Sequence, residues 1–156
     1  MRYLNKIVFI NSAAIRYSEV QLDGNIHLIG TQGVGKSTIL RAILFFYNAD
    51  TQRLGIPVEK KSYQDYYFPY ADSSIIYEVA REDGWFTVLS YKTMNRICYR
   101  FIASPYRPDL FIDEEGAPYP SDRIRSVLDK NGIKYSGAIS TYEEYRNILY
   151  GNSDNK

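Results

Sequence analysis

The sequence predicts an α/β fold in which a mixed sheet packs around one buried helix and an antiparallel small sheet adjoins it. Three observations predict this. A glycine-rich loop, Gly30-Thr31-Gln32-Gly33-Val34-Gly35-Lys36-Ser37, lies between a short apolar run and a long apolar helical stretch. Three runs of β-branched and aromatic residues follow between Ser74 and Ala103. Two shorter stretches near the C-terminus carry helix start signals.

The elements follow in order. Lys6-Ile7-Val8-Phe9-Ile10 is short, apolar and β-branched, as a buried strand is. Asn11 to Ser18 reads as a connecting stretch. Glu19-Val20-Gln21-Leu22-Asp23 alternates and ends at Gly24, which suits a strand and a tight turn. Asn25-Ile26-His27-Leu28-Ile29 is the strand that leads into the glycine loop. Thr38 to Tyr47 then forms a helix with apolar residues on most sides (Ile39, Leu40, Ile43, Leu44, Phe46, Tyr47), so it is expected to be buried. Asn48 to Asp72 has no clear period and holds the aromatic cluster Tyr63-Gln64-Asp65-Tyr66-Tyr67-Phe68-Pro69-Tyr70; long loops of this kind are often functional. Ile75–Ala80, Trp85–Tyr91 and Ile97–Ala103 read as three antiparallel strands, the first two joined through Glu82-Asp83-Gly84. Leu110-Phe111-Ile112 reads as a short strand ending in a turn at Glu115-Gly116. A helix is expected from a Ser121 N-cap to near Gly132, and a capping box at Thr141-Tyr142-Glu143-Glu144 starts a last helix to about Tyr150.

The loop from Gly30 to Ser37 fits G-x-x-x-x-G-K-[ST], the phosphate-binding P-loop pattern, at every fixed position. Glycines adopt positive φ at little cost, so the backbone can wrap an anion with its N–H groups turned inward. Lys36 can set its ammonium against the β- and γ-phosphates, and the Ser37 hydroxyl can ligate Mg²⁺. Strand, loop and helix start together put the phosphate at the positive end of a helix dipole. The expected fold is therefore that of a P-loop NTPase, with ATP and Mg²⁺ as its ligands.

The bulk numbers limit the alternatives. At 156 residues with a net charge of +1, the chain is one domain in size and no general electrostatic trap for nucleic acid. Apolar and charged fractions are those of a soluble globular protein. Cys98 is the single cysteine, so an internal disulfide is impossible. The N-terminal residues carry no long apolar run, which predicts neither signal peptide nor membrane span and makes a reducing cytoplasm the expected compartment. Tyrosine, with 16 copies, is over-used. Its apolar body and polar tip suit either a partner surface or a tyrosine-rich core.

Other candidate sites carry two readings each. Leu110-Phe111-Ile112-Asp113-Glu114 has the outline of a Walker B strand, but Glu115-Gly116 right after it is also ordinary turn chemistry. Asn11, Ser12 and Arg16 are either turn formers with a solvated charge or neighbours of a bound nucleotide. His27 and Cys98 have no catalytic partner in sequence. Lys60-Lys61, Arg96, Arg100, Arg123 and Arg125 are either a DNA-facing patch or exposed charge.

With these residues in hand, the chain resembles the N-terminal half of an SMC-like ATPase head, in the larger ABC-type group to which RecF and the Rad-type repair ATPases belong. The order of strand, polar bend, strand, strand, loop and helix is shared, and Ser74–Ala103 is similar to the small sheet beside the nucleotide in such heads. Phe9-Ile10-Asn11-Ser12, Gly132-Ile133-Lys134-Tyr135-Ser136 and Ile139-Ser140-Thr141-Tyr142-Glu143-Glu144-Tyr145-Arg146 resemble the Muk type of bacterial condensin and its relative in the Wadjet plasmid-defence system. The resemblance implies that Gly30, Thr31, Gln32, Gly33, Val34, Gly35, Lys36, Ser37 and Thr38 hold ATP and Mg²⁺, with Ser37 the metal ligand. It implies that Asn11, Ser12 and Arg16 lie near the base, ribose or α-phosphate. It also implies partners: a C-terminal head half carrying the Walker B acids and signature loop, a second head that closes over the ATP, and DNA. Residues 1–151 would be one lobe, and the polar tail 152–156 would lead into a coiled coil. Related heads place a metal-binding glutamine after the small sheet; the region Gly137 to Thr141 has none, leaving Ser140, Thr141 or a metal-bound water in its place. Two other readings stand beside this one: a complete small P-loop kinase using Asp113 or another acid, and a nucleotide-switched interaction module.

Overall fold

The computed structural model describes residues 2–13, 15–22, 36–48, 66–93, 96–140, 144, 145 and 148. Five strands, β1 (Arg2–Ser12), β2 (Ile15–Gln21), β3 (Ser74–Arg81), β4 (Gly84–Thr93) and β5 (Arg96–Ile102), form one sheet in the order β2-β1-β3-β4-β5. Every neighbouring pair is antiparallel. Among the described residues, the helices α1 (Lys36–Asn48) and α2 (Ser121–Lys130) pack on it.

Alternation along each strand sorts the side chains onto two buried faces. Ile7, Phe9, Ile75, Tyr77, Val79, Val88 and Tyr99 face α1, where Ile39, Ala42, Ile43 and Phe46 pack on them. Val8, Ile10, Ile76, Leu89, Tyr91 and Ile102 face the other way, under Tyr106, Phe111, Ile124 and Leu128. β3 lies at the centre, and all of it except Arg81 is buried. That is why Ser74–Arg81 reads as a nearly continuous apolar run rather than an alternating one.

One irregularity positions a buried acid. The β1–β3 register steps from Leu4 opposite Val79 to Lys6 opposite Glu78, so Asn5 is an extra, bulged residue. Leu4 thereby stays in the core beneath α1, while the Asn5 amide Nδ2 donates to Glu78 Oε1 at 2.8 Å.

Several sequence expectations need correction. The three strands of Ser74–Ala103 form with the expected order, but they continue the β1–β2 hairpin in one sheet instead of standing apart. Asn11 to Ser18 is not a connection: Asn11 and Ser12 finish β1, and β2 starts at Ile15, which pairs with Ser12. The described sheet is antiparallel throughout; the strand expected at 25–29, on which a mixed sheet depends, lies outside the described residues. α1 buries one face, and Leu40 is 40% exposed. Leu110 ends a 3₁₀ turn (Pro108–Leu110), and Ile112 makes only an isolated bridge to Pro118. α2 begins at Ser121 with Pro120 in the cap position. It ends as expected near Gly132, whose φ of 69° permits a Schellman closure, with Ile133 N donating to Leu128 O at 3.0 Å. Of the last expected helix, Glu144, Tyr145 and Ile148 have helical backbone and the rest lies outside the described residues. No described helix is long and apolar enough to cross a membrane.

Candidate functional site

The Lys-Ser pair that closes the glycine-loop pattern is helical and lies at the N-terminal end of the described α1. Gly30, Thr31, Gln32, Gly33, Val34 and Gly35 lie outside the described residues, as do the side chains of Lys36 and Ser37. The first turn of α1 carries no acidic side chain. Its positive dipole end is therefore not neutralised by the helix's own residues, which suits it to an anion.

Three tyrosines hold this helix from below. Tyr67 Oη donates to Thr38 O at 2.8 Å, Tyr77 Oη to Ala42 O at 3.1 Å and Tyr145 Oη to Phe46 O at 2.6 Å. The acceptors are spaced by four residues, so they form one stripe along α1. All three tyrosines are fully buried. Their rings pack as well: Phe46 lies 4.8 Å from Tyr77, and Tyr99 lies 4.2 Å from Tyr145. Burial pushes the Tyr67 hydroxyl well above its ordinary pKa, so it stays a proton donor. The tyrosine surplus is thus spent in part inside the molecule, on the helix that the loop feeds.

The turn between β1 and β2 lies beside a cavity of about 480 Å³ lined by Asn11, Ala13, Ile15, Arg16, Tyr70 and Asp72. Asn11 and Ala13 have φ of 46° and 52°. A left-handed alanine costs roughly 1 kcal/mol, and such strain gathers at functional sites. Asn11 and Arg16 also line a second cavity of about 480 Å³, on the side of Tyr17 and the 112–118 loop. Arg16 is exposed and has no ion-pair partner among the described residues. Ser12 is fully buried, and its hydroxyl has no hydrogen-bond partner among the described residues. Of the three residues nominated here, Asn11 and Arg16 therefore meet at a cavity, while Ser12 lies beneath the surface.

The segment 66–73 joins this turn to α1. At one end Tyr67 reaches Thr38, as above. At the other, Ser73 Oγ donates to the Asn11 carbonyl and accepts from Tyr70 N at 2.9 Å. Ser73 N in turn donates to Tyr70 O at 3.1 Å, closing a turn. Sequence reading noted this aromatic cluster but had no signal for which rings point inward.

A polar network underlies the opposite face of the sheet. Glu78, 6% exposed, accepts from Asn5 Nδ2 and from Tyr106 N, both at 2.8 Å. Tyr106 Oη lies 2.8 Å from Tyr17 Oη, which donates to Glu19 Oε2 at 2.6 Å; Lys6 pairs with Glu19 at 3.4 Å. Burial, then the Glu19 hydrogen bond, pushes the Tyr17 pKa up to about 12. Burial raises Tyr106 further still.

The remaining candidates resolve into structural roles. Asp113 Oδ1 accepts from Glu115 N and Ala117 N, each at 2.9 Å, and Asp113 O accepts from Gly116 N at 3.0 Å. Gly116 supplies the positive φ of 85° that the turn needs. The acidic pair of the expected Walker B outline is thus turn chemistry, on an exposed loop rather than at a strand end. Arg100 is buried, donates to Ser136 O at 2.7 Å and lies over the Tyr135 ring, so it belongs to no surface patch. Arg96, Arg123 and Arg125 are exposed. Ser140 is exposed, with Arg96 Nη1 3.4 Å from its hydroxyl. Cys98 is buried, and desolvation raises its thiol. His27, Lys60, Lys61 and Thr141 lie outside the described residues.

No curated protein matches the chain. A family model described as "Protein of unknown function (DUF3584)" matches residues 11–153, a span that begins at the β1–β2 turn and takes in the glycine-loop sequence, α1, β2 to β5 and α2. By that match over nearly its whole length, the chain belongs to the DUF3584 family.

Proposed function

We propose that the chain is the ATP-binding lobe of an SMC-like ATPase that acts on DNA, with ATP held between two heads. The observation that carries this reading is the fit of Gly30 to Ser37 to the phosphate-binding pattern together with the helical state of its closing pair, Lys36 and Ser37, in α1. Two further features support it. The first turn of α1 is free of acidic side chains, and a cavity with an exposed guanidinium, Arg16, lies at the β1–β2 turn.

In this reading the amides of Gly33 to Ser37 hold the β-phosphate, Lys36 neutralises the β- and γ-phosphates, and Ser37 ligates Mg²⁺. The metal would offset phosphate charge as the terminal phosphoryl group leaves. Arg16 and Asn11 would meet the α-phosphate or ribose. The Walker B acids, the signature loop and the DNA would belong to a partner head half and the full complex. Asp113 accepts from two backbone N–H groups of its own turn, which supports this reading over a small kinase that uses Asp113 as its acid.

Titration of the 156-residue chain with labelled ATP, with and without Mg²⁺, tests the reading. Weak Mg²⁺-dependent binding is expected, reduced about 10-fold or more by Lys36→Ala, equivalent to ~1.4 kcal/mol. Hydrolysis by this chain alone is expected to be negligible. Rapid turnover, or binding indifferent to Lys36→Ala, would refute it.

A further inference from the structure

We infer that Tyr70 and Asp72 form the base and ribose subsite of the bound nucleotide: the Tyr70 ring stacks on the base, and the Asp72 carboxylate accepts from the ribose hydroxyls. The inference rests on the nucleotide reading above and assigns a part of that site which the loop motif does not reach.

The placement comes first. Tyr70 and Asp72 line the cavity at the β1–β2 turn together with Arg16. Tyr67, three residues before Tyr70, donates to Thr38 O in the opening turn of α1. Three residues of chain span at most about 11 Å, so with the Tyr67 side chain added the Tyr70 backbone lies within roughly 20 Å of the first turn of α1, which would hold the phosphates. A nucleotide anchored there by its phosphates extends its base outward over a distance of this order, toward the cavity.

The exposure pattern points the same way. Tyr67 and Phe68 are completely buried, whereas Tyr70 is 61% exposed. An uncovered aromatic ring at a cavity rim is suited to stacking, since every base has a π-face to offer. Asp72 is half-buried in the same cavity and has no hydrogen-bond or ion-pair partner among the described residues. A half-buried carboxylate favours a donor, and a ribose diol supplies two.

The backbone is already set for this role. Ser73 is 2% exposed and bonds to Tyr70 through both its hydroxyl and its N–H, while its hydroxyl also donates to the Asn11 carbonyl. The turn from Tyr70 to Ser73 is thus locked to the end of β1 with the two side chains left on the cavity. Binding would then require little ordering of the loop.

The test compares two ligands that share phosphates but differ in the base. Calorimetric titrations of the 156-residue chain use Mg²⁺-ATP and Mg²⁺-tripolyphosphate. Tyr70→Ala is expected to weaken ATP binding about 10-fold and leave tripolyphosphate unchanged, while Tyr70→Phe retains wild-type affinity for both. Asp72→Ala is expected to abolish any preference for ATP over 2′,3′-dideoxy-ATP. If the wild-type chain binds ATP and Tyr70→Ala binds it equally well, or if both ligands weaken together, the subsite is overturned while the nucleotide reading stands. If the wild-type chain binds neither ligand, the nucleotide reading fails and the subsite falls with it. Tyr70 is exposed and packs in neither core, so circular dichroism of Tyr70→Ala should match wild type.

Discussion

Removing the three hydroxyls that hold α1, in Tyr67→Phe/Tyr77→Phe/Tyr145→Phe, should destabilise the fold by about 3 kcal/mol while leaving every ring in place. The magnitude follows from the geometry. Each hydroxyl donates to a helical carbonyl at 2.8, 3.1 or 2.6 Å from a fully buried ring. A buried hydrogen bond contributes a net ~1 kcal/mol, and the acceptors, as helix carbonyls, are not left wholly unpaired by the change. For a domain of this size, ~3 kcal/mol lowers Tm by roughly 6–12 °C. Urea unfolding followed by circular dichroism gives the free energy directly. Tyr91→Phe is the control: Tyr91 is buried on the opposite face with no hydroxyl bond among the described residues, so it should stay within ~0.5 kcal/mol of wild type. Because α1 carries the Lys-Ser end of the loop, the triple variant should also bind Mg²⁺-ATP several-fold more weakly. If the triple variant is no less stable than Tyr91→Phe, the three bonds do not hold α1 and the reasoning fails.

Glu78→Ala orphans two buried donors, Asn5 Nδ2 and Tyr106 N, and should cost about 2–5 kcal/mol in urea unfolding. Glu78→Gln keeps one carbonyl acceptor and should lose clearly less; equal losses would show that the acceptor geometry is unimportant. Asp113→Ala removes two turn bonds at an exposed loop and should change stability by about 1 kcal/mol or less, with Mg²⁺-ATP titrations unaltered. Loss of Mg²⁺-dependent binding in that variant would return Asp113 to the metal site. The raised Tyr17 pKa sets an alkaline limit. The folded chain keeps its phenol proton to about pH 12, whereas the unfolded chain releases it near 10, so Tyr17 favours the fold below pH 10 and this contribution is lost as pH rises through that window. Thermal unfolding of wild type and Tyr17→Phe across that range should therefore converge; a difference that grows with pH would contradict the assignment.

Much of the scaffold was legible because it follows local rules. The β3–β4 hairpin is announced by Glu82-Asp83-Gly84, and Gly84 has the positive φ of 141° that the junction needs. α1 is announced by apolar spacing and by the loop before it. The β1–β2 turn escaped because Asn11, Ser12 and Ser18 punctuate the stretch with polar residues, and pairing across the turn overrode that composition. The turn at Glu115-Gly116 was legible, but the short strand expected at Leu110-Phe111-Ile112 did not form, because these residues are apolar for a different reason: Leu110 and Phe111 cover the face beneath α2. The tyrosine clasp was out of reach, since it joins positions 67, 77 and 145 to carbonyls at 38, 42 and 46, and main-chain acceptors leave no trace in residue identity. The same holds for Tyr70. Its cluster stands out in composition, yet only packing separates the exposed ring from the buried ones.

The extra residue at position 5 joins two points of the chain that lie 73 positions apart. It brings an amide against the buried acid at position 78, and loss of either partner removes that bond. Within the family, a shortened first strand and an apolar residue in the middle of the third should therefore come and go together. Aligning members by strand periodicity alone would put everything upstream of that point on the wrong side of the sheet.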